Sequence, residues 1–151
     1  MLALLPYLKW LHILSAIVAV GANVTYLIWM RAAEKEKSAT AFALKGITRL
    51  EKLANPAYGL LFLSGIAMLF VGSIPWTTPW ILSSIILFVV IAALGGAGYS
   101  PALRMQTQLA DKPDSAEYRA AEERANRIGI AIILLAFLAE FLMTVKPALW
   151  G

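Results

Sequence analysis

Four long apolar segments set what this chain can fold into. They cover residues 4–30, 54–74, 80–103 and 128–149, and each is near or above the roughly 20 residues that a helix needs to cross a bilayer core. Backbone groups in lipid have to be hydrogen-bonded within their own segment, and these runs lack the alternation of barrel strands. The sequence therefore predicts an all-α polytopic membrane protein, a four-transmembrane-helix bundle.

The composition agrees with a single membrane domain, which we predict over residues 1–151. Of the 151 residues, 60% are hydrophobic and 15% are charged, whereas a soluble domain carries about 25% charged residues. The chain has no cysteine, which excludes disulfides, thiolate metal sites and thiol nucleophiles. No nucleophile and base arrangement or phosphate-binding loop is recognisable, so the sequence assigns no enzymatic activity.

The distribution of charge predicts how the bundle is oriented. The connections 31–53 and 104–127 hold most of the basic residues, whereas the connection 73–79 holds no charge. The positive-inside rule then places both basic connections in the cytoplasm and both termini outside a bacterial cytoplasmic membrane. Both connections are rich in Ala, Glu, Lys and Arg, which predicts helical cytoplasmic extensions. Basic residues confined to such connections indicate topology, and we expect no nucleic-acid partner.

His12 and Glu140 are ionisable residues that lie well inside the predicted spans, whereas Lys9 and Lys146 lie near span ends. Such residues are costly in a membrane and are the first place to look for function. A rise of about 1.5 Å per residue places both at similar depth in the outer half. The first and last helices of a small bundle are neighbours. We therefore predict an outer-half polar site in which His12 and Glu140 are in direct or water-mediated contact.

Several chemistries fit this site, and the sequence leaves them open. A membrane b-type haem usually has two histidine ligands and this chain has one, so haem b would need Met143 or Lys146 as its second ligand. Copper bound by His12 and Met143 would need further soft ligands, so we predict no metal site. Proton handling, small-molecule binding and a purely structural pair that joins the first helix to the last fit the same residues.

Five further polar residues are predicted to line the interior of the bundle. These residues are Asn23, Asn55, Ser83, Ser84 and Thr144. Helical phase places Asn23 on the same face as His12, and Thr144 on the same face as Glu140. The two serines lie at the matching depth on the third span, and the two asparagines approach each other near the cytoplasmic side. The glycines at 95, 96 and 98 allow close helix packing or make room for a flat ligand.

One stretch carries a family resemblance. "LKWLHILSAIVAVGANVTYL" resembles the first span of a bacterial family of predicted integral membrane proteins of unknown function, in which a Leu-Lys-x-x-His opening is followed by a glycine such as Gly21. The similarity continues through "RLEKLANPAYGLLFLSGIAML", with Pro56 and Gly65, through "PWILSSIILFVVIAAL", and to Pro101 and Arg104. The resemblance covers most of the chain and implies the same four-span fold.

That family looks distantly similar to the HemJ-type protoporphyrinogen oxidases and the CopD-type copper-resistance proteins. The HemJ-type resemblance implies that His12 is the haem-associated histidine. HemJ-type proteins also have a lysine shortly after the tryptophan that opens the third span and a histidine near its far end. This sequence has Ser83 and Ser84 at the first place and residues 93–96, Ala-Leu-Gly-Gly, at the second, so it departs from that pattern.

Two functions of different class follow from the sequence. The first is an intramembrane protein that binds a small molecule or haem, or handles protons, at an outer-half site containing His12, Glu140, Met143 and Lys146. The second is a non-catalytic accessory or structural subunit. Such a subunit packs against a larger membrane complex or against copies of itself.

Overall fold

The computed structural model describes residues 2–35 and 37–149, and these form helices joined by short connections. The α-helices are α1 (Leu5–Lys35), α2 (Thr40–Gly72), α3 (Pro79–Ala93), α4 (Ser100–Gln108) and α5 (Ala116–Val145). A π-helical segment, Leu94–Tyr99, connects α3 to α4 without a break. The 3₁₀ turns Leu2–Leu4 and Lys37–Ala39 precede α1 and α2. The third span is thus one continuous rod, Pro79–Gln108.

Four helical stretches of the described chain are long and apolar enough to cross a membrane. They are Leu2–Ala32, Thr40–Gly72, Pro79–Gln108 and Ala116–Val145. The all-helical, four-span prediction is therefore confirmed, and the predicted helical extensions are present because α2 and α5 begin well before their apolar segments. At its other end α5 stops at Val145, before the predicted limit at 149. Lys146 takes a left-handed conformation with φ of 50°, and the proline after it disfavours further helix.

The ends of the helices follow from local sequence. Pro79 begins α3, where its missing N–H costs no hydrogen bond. Ser115 caps α5, because its Oγ accepts a hydrogen bond from the backbone N–H of Tyr118 at 3.2 Å. Ser73 ends α2 in a left-handed conformation with φ of 51°.

The helices pack closely on three sides of the bundle and stay apart on the fourth, between α2 and α3. Helix α1 packs along α2 and also contacts α5, which in turn packs against α3, the π-helical segment and α4. The predicted contact between the first and last helices is thus present. Helix α2 approaches α4, but among the described residues no Cα of α2 lies within 8 Å of a Cα of α3. Three sides of the bundle are closed by helix packing, and the side between α2 and α3 is not.

The largest buried cluster lies at one end of the bundle, which we call the basic end because the two basic connections are there. The cluster includes Tyr26 and Met30 of α1, Leu44 of α2, Leu103 of α4 and Tyr118 of α5. These side chains are nearly or fully buried, so α1, α2, α4 and α5 are joined firmly at this end. The connection 73–78 lies at the opposite end.

At the opposite end, α1 and α2 pack closely through a glycine. A Cβ added at Gly65 would lie 3.1 Å from Cε1 of His12, whereas a Cβ added at Gly59 would meet no atom within 4 Å. The His12 ring is held by hydrogen bonds from Nδ1 to α2. It therefore has little freedom to move away from a methyl group at position 65.

We predict that Gly65→Ala destabilises the protein by about 1–2 kcal/mol, because the added methyl displaces the bonded His12 ring. Gly59→Ala, on the same helix, is the matched control and should be neutral or stabilising by up to about 1 kcal/mol. Thermal unfolding in detergent, followed by circular dichroism, measures both. Equal stability of the two variants would show that close packing at Gly65 does not hold α1 to α2.

Candidate binding cavity between the second and third spans

A cavity of about 320 Å³ lies in the split between α2 and the third span. Helices α1 and α5 complete its wall with Asn23 and Ile132. Asn55, Ala92 and Gly96 belong to the lining and are exposed. The cavity therefore opens on the lateral surface of the bundle, which faces lipid when the protein is in a bilayer.

The cavity extends from the membrane boundary toward the middle of the bilayer. Counted at about 1.5 Å per residue from the opposite end of the bundle, Glu51 and Ser100 lie about 30 Å along their helices, and Phe88 lies about 14 Å along. The hydrocarbon core of a bilayer is about 30 Å thick. Glu51 and Ser100 are thus near water at the basic end, and Phe88 is near the bilayer centre.

Two hydrogen bonds between helices build the polar part of the cavity. The Ser100 hydroxyl donates to Oε1 of Glu51 at 2.7 Å, which ties the third span to α2. Nδ2 of Asn23 donates to the Tyr58 hydroxyl, which ties α1 to α2. The Tyr58 hydroxyl accepts in this bond, so its own proton is available for a ligand. Asn55 adds an amide to the same wall.

Aromatic rings bridge α2 and α3 where the two backbones stay apart. Phe88 stacks on Phe62 with ring centroids 5.0 Å apart and an interplanar angle of 21°. Phe88 also meets the Tyr58 ring at 6.3 Å. Together with Ile91 and Ala92, these rings make the deeper part of the cavity apolar. The lining thus changes from polar to apolar with depth.

The backbone is irregular on both walls at the level of the cavity. The π-helical segment contributes Gly95, Gly96 and Tyr99 to the lining, and π-helical turns often occur at functional sites. A Cβ added at either glycine would meet no atom within 4 Å, so these glycines leave space that a side chain would fill. On the other wall, Pro56 interrupts the hydrogen-bond ladder of α2.

Tyr99 connects the cavity to the core at the basic end. Its ring meets Tyr26 edge to face, with centroids 5.4 Å apart. A Cβ at Gly129 would lie 3.5 Å from Cε2 of Tyr99 and 3.9 Å from Cδ1 of Tyr26, so this glycine lets both rings pack against α5. The Tyr26 hydroxyl donates to Oε1 of Gln106 at 3.5 Å. The back wall of the cavity is therefore supported by packed, buried side chains.

His12 is bound to α2. Its Nδ1 lies 2.9 Å from the carbonyl oxygen of Leu61 and 3.2 Å from Oγ of Ser64. The Ser64 hydroxyl itself donates to the Leu60 carbonyl at 2.6 Å. With the proton on Nδ1, the His12 ring donates to the Leu61 carbonyl and so links α1 to α2. Glu140, the partner that the sequence predicts for His12, lies on α5.

The structure does not bring the other outer-half candidates to His12. Glu140 is exposed on α5, and Met143 is half-buried. Lys146 is exposed, and its Nζ lies 5.3 Å from the centroid of the Trp80 ring. None of these four residues belongs to the lining of the cavity. Among the described residues His12 and Glu140 share no direct hydrogen bond or ion pair, because Nδ1 of His12 is hydrogen-bonded to α2 and Glu140 is exposed. A water-mediated contact between them stays a prediction.

The five predicted interior residues have different surroundings. Asn23 and Asn55 line the same cavity, but Asn55 is exposed rather than interior. Ser84 is buried, and its hydroxyl donates to the carbonyl of Trp80 in its own helix at 2.7 Å. Ser83 is half-buried, and Thr144 is exposed rather than interior. Only the asparagine pair contributes to a site.

The predicted metal and haem ligands are not gathered into one cluster. In residues 2–35 and 37–149, no group of three or more His, Asp or Glu residues is placed to hold a metal ion. Nδ1 of His12 is hydrogen-bonded to α2, which leaves Nε2 as the ring nitrogen that could bind iron, and Nζ of Lys146 lies over the Trp80 ring. Haem b with Met143 or Lys146 as second ligand stays a prediction.

Sequence reasoning missed the four other lining residues that carry a polar side-chain group: Glu51, Tyr58, Tyr99 and Ser100. Glu51 sits among the charges of the connection 31–53, so nothing in its local sequence separates it from a solvated helix face. The usable signal was "LGGAGY". Adjacent glycines cost a helix stability, so their presence within a span indicates close packing or an open space beside them.

A family model described as "Predicted integral membrane protein (DUF2269)" matches residues 6–147. The chain belongs to this family. The match includes the membrane-spanning core and every residue of the cavity, and it confirms the family resemblance found in the sequence. The DUF2269 description gives a location in the membrane and no activity.

No curated protein and no solved structure matches the chain. The more distant resemblance to HemJ-type and CopD-type proteins stays an expectation. The cavity is therefore interpreted from its own residues.

Proposed function

We propose that this DUF2269 protein binds a small lipid-soluble amphiphile in the cavity between α2 and the third span, and that the ligand enters sideways from the bilayer. The observation that carries the proposal is the split itself. Packing between neighbouring helices excludes lipid from the other three sides, but α2 and α3 are joined by side chains around an open, partly polar space. Ligand sites between the helices of a bundle are common.

The depth profile of the lining supports an amphiphile. Polar groups of Glu51, Asn55 and Ser100 lie near the water boundary, and Phe88, Ile91 and Ala92 lie deeper. A molecule with a polar head and an apolar body can satisfy both parts at once. A wholly apolar molecule would leave the amide and hydroxyl groups without partners, at a cost of about 1–3 kcal/mol for each buried one.

The charge distribution supports a ligand from the inner leaflet. The basic connections lie at the same end of the bundle as the polar part of the cavity, and the positive-inside rule places that end in the cytoplasm. The protein would then sit in a bacterial cytoplasmic membrane with both termini outside. Its cavity would open at the level of the inner headgroups.

Filling the cavity tests the binding proposal. We predict that purified wild-type protein retains a small amphiphile at near one molecule per chain, detected by mass spectrometry of its extract against the bulk lipid extract. Gly96→Leu should lose most of it, because the new side chain occupies the space beside Gly96. Gly59→Leu, also at a glycine with open space but outside the lining, should retain it.

Equal retention by the two leucine variants would contradict binding in this cavity. So would a wild-type protein that carries no enriched compound and purifies instead with a stoichiometric partner chain. The second result would favour a role as an accessory subunit.

The orientation in the membrane is tested separately by labelling single introduced cysteines, because the chain has no cysteine of its own. Thr77 and Asp111 are exposed in the two connections that the rule places on opposite sides. In spheroplasts of a bacterial host, a membrane-impermeant maleimide should label Thr77→Cys directly and Asp111→Cys only after the membrane is disrupted. The reverse pattern would move the cavity to the outer leaflet.

A further inference from the structure

We infer that the cavity selects lipophilic organic cations, such as amphiphilic amines or phosphonium compounds. This inference rests on the proposed binding function and names the class of ligand for the same cavity. It follows from three features of the lining: one carboxylate, several aromatic rings and the absence of basic side chains.

No ion pair joins the Glu51 carboxylate to a basic side chain in the part of the chain that the structure describes. Among the described residues its only hydrogen bond comes from the Ser100 hydroxyl, and no Lys, Arg or His lines the cavity. Arg49 and Lys52 are near in sequence but exposed, and residues at i−2 and i+1 do not face Glu51 on a helix. A half-buried carboxylate in this state favours a positively charged ligand.

Aromatic rings line the cavity beside and below the Glu51 carboxylate. Tyr99 lies at the level of Glu51, next to the Ser100 that donates to it, and Tyr58 and Phe88 line the cavity at greater depth. The face of an aromatic ring attracts a cation by about 0.5–2 kcal/mol, more when water is excluded. A carboxylate together with aromatic faces is a suitable site for a cation that lacks hydrogen-bond donors.

The apolar part of the lining explains why the cation has to be lipophilic. Ile91, Ala92 and Ile132 lie deeper than Glu51 and offer only hydrocarbon contacts. A charged group near Glu51 stays at the water boundary, while its apolar substituents extend toward the bilayer centre. A phospholipid with an anionic headgroup would instead bring its phosphate toward the Glu51 carboxylate.

A pair of probes with the same shape and opposite charge tests the inference. Tetraphenylphosphonium and tetraphenylborate differ mainly in the sign of their charge, and each can project from the open side of the cavity. The affinity of each probe is measured by equilibrium dialysis with the full chain in detergent. Binding in the cavity is the part that is lost in Gly96→Leu. For this part, the cation should bind about tenfold more tightly than the anion, a difference of about 1.4 kcal/mol.

Substitutions of the carboxylates then test whether Glu51 causes the preference for the cation. Glu51→Gln should remove the preference for the cation, and Glu51→Asp should keep it, which separates charge from folding. Glu140→Gln is the matched control, because Glu140 is a carboxylate within a span that does not line the cavity. It should bind both probes as the wild type does.

Two results would overturn the inference. One is equal binding of both probes in the wild-type cavity, and the other is an unchanged preference in Glu51→Gln. Either result leaves the binding proposal intact if Gly96→Leu still loses the co-purified amphiphile. Failure of the binding proposal would appear separately, as equal retention of that compound by Gly96→Leu and Gly59→Leu.

Discussion

The backbone of every span has to satisfy its own hydrogen bonds, because lipid offers no partners. This constraint dictates four helices and leaves the distances between them to side chains. Gly65 brings α1 against α2, and Gly129 brings two tyrosine rings against α5. Between α2 and α3, the stacked rings of Phe62 and Phe88 occupy the interface instead. Glycines allow close contacts between α1 and α2 and at α5, whereas aromatic rings bridge the wider gap between α2 and α3.

The sequence predicted the fold well because long apolar segments admit few alternatives. It predicted four spans, helical extensions and the contact between the first and last helices, all of which the structure contains. The early end of α5 was missed. Its cause, a left-handed residue before Pro147, is a local conformation that apolar composition does not report.

The candidate site was harder to predict from the sequence. The prediction relied on His12 and Glu140, because ionisable residues are rare within membrane spans. Helical phase identifies a shared face within one helix, but it does not say which neighbouring helix that face meets. His12 met α2, and Glu140 faced outward. Asn23 and Asn55 both line the cavity, and Asn55 is exposed rather than interior. Their cavity also depends on Glu51, whose position in a charged connection conceals it.

The central claim is that an open cavity, whose polar end lies near water at the basic end, enters the bundle between α2 and the third span. Water that enters from the polar end would reach Ala92 within the cavity. Ala92 lines that cavity, whereas the adjacent Ala93 is exposed outside the lining. A thiol reacts with maleimide as the thiolate, which forms in water and not in lipid. In liposomes, a small uncharged maleimide should modify Ala92→Cys at least about tenfold faster than Ala93→Cys. Equally slow modification of both would contradict the claim.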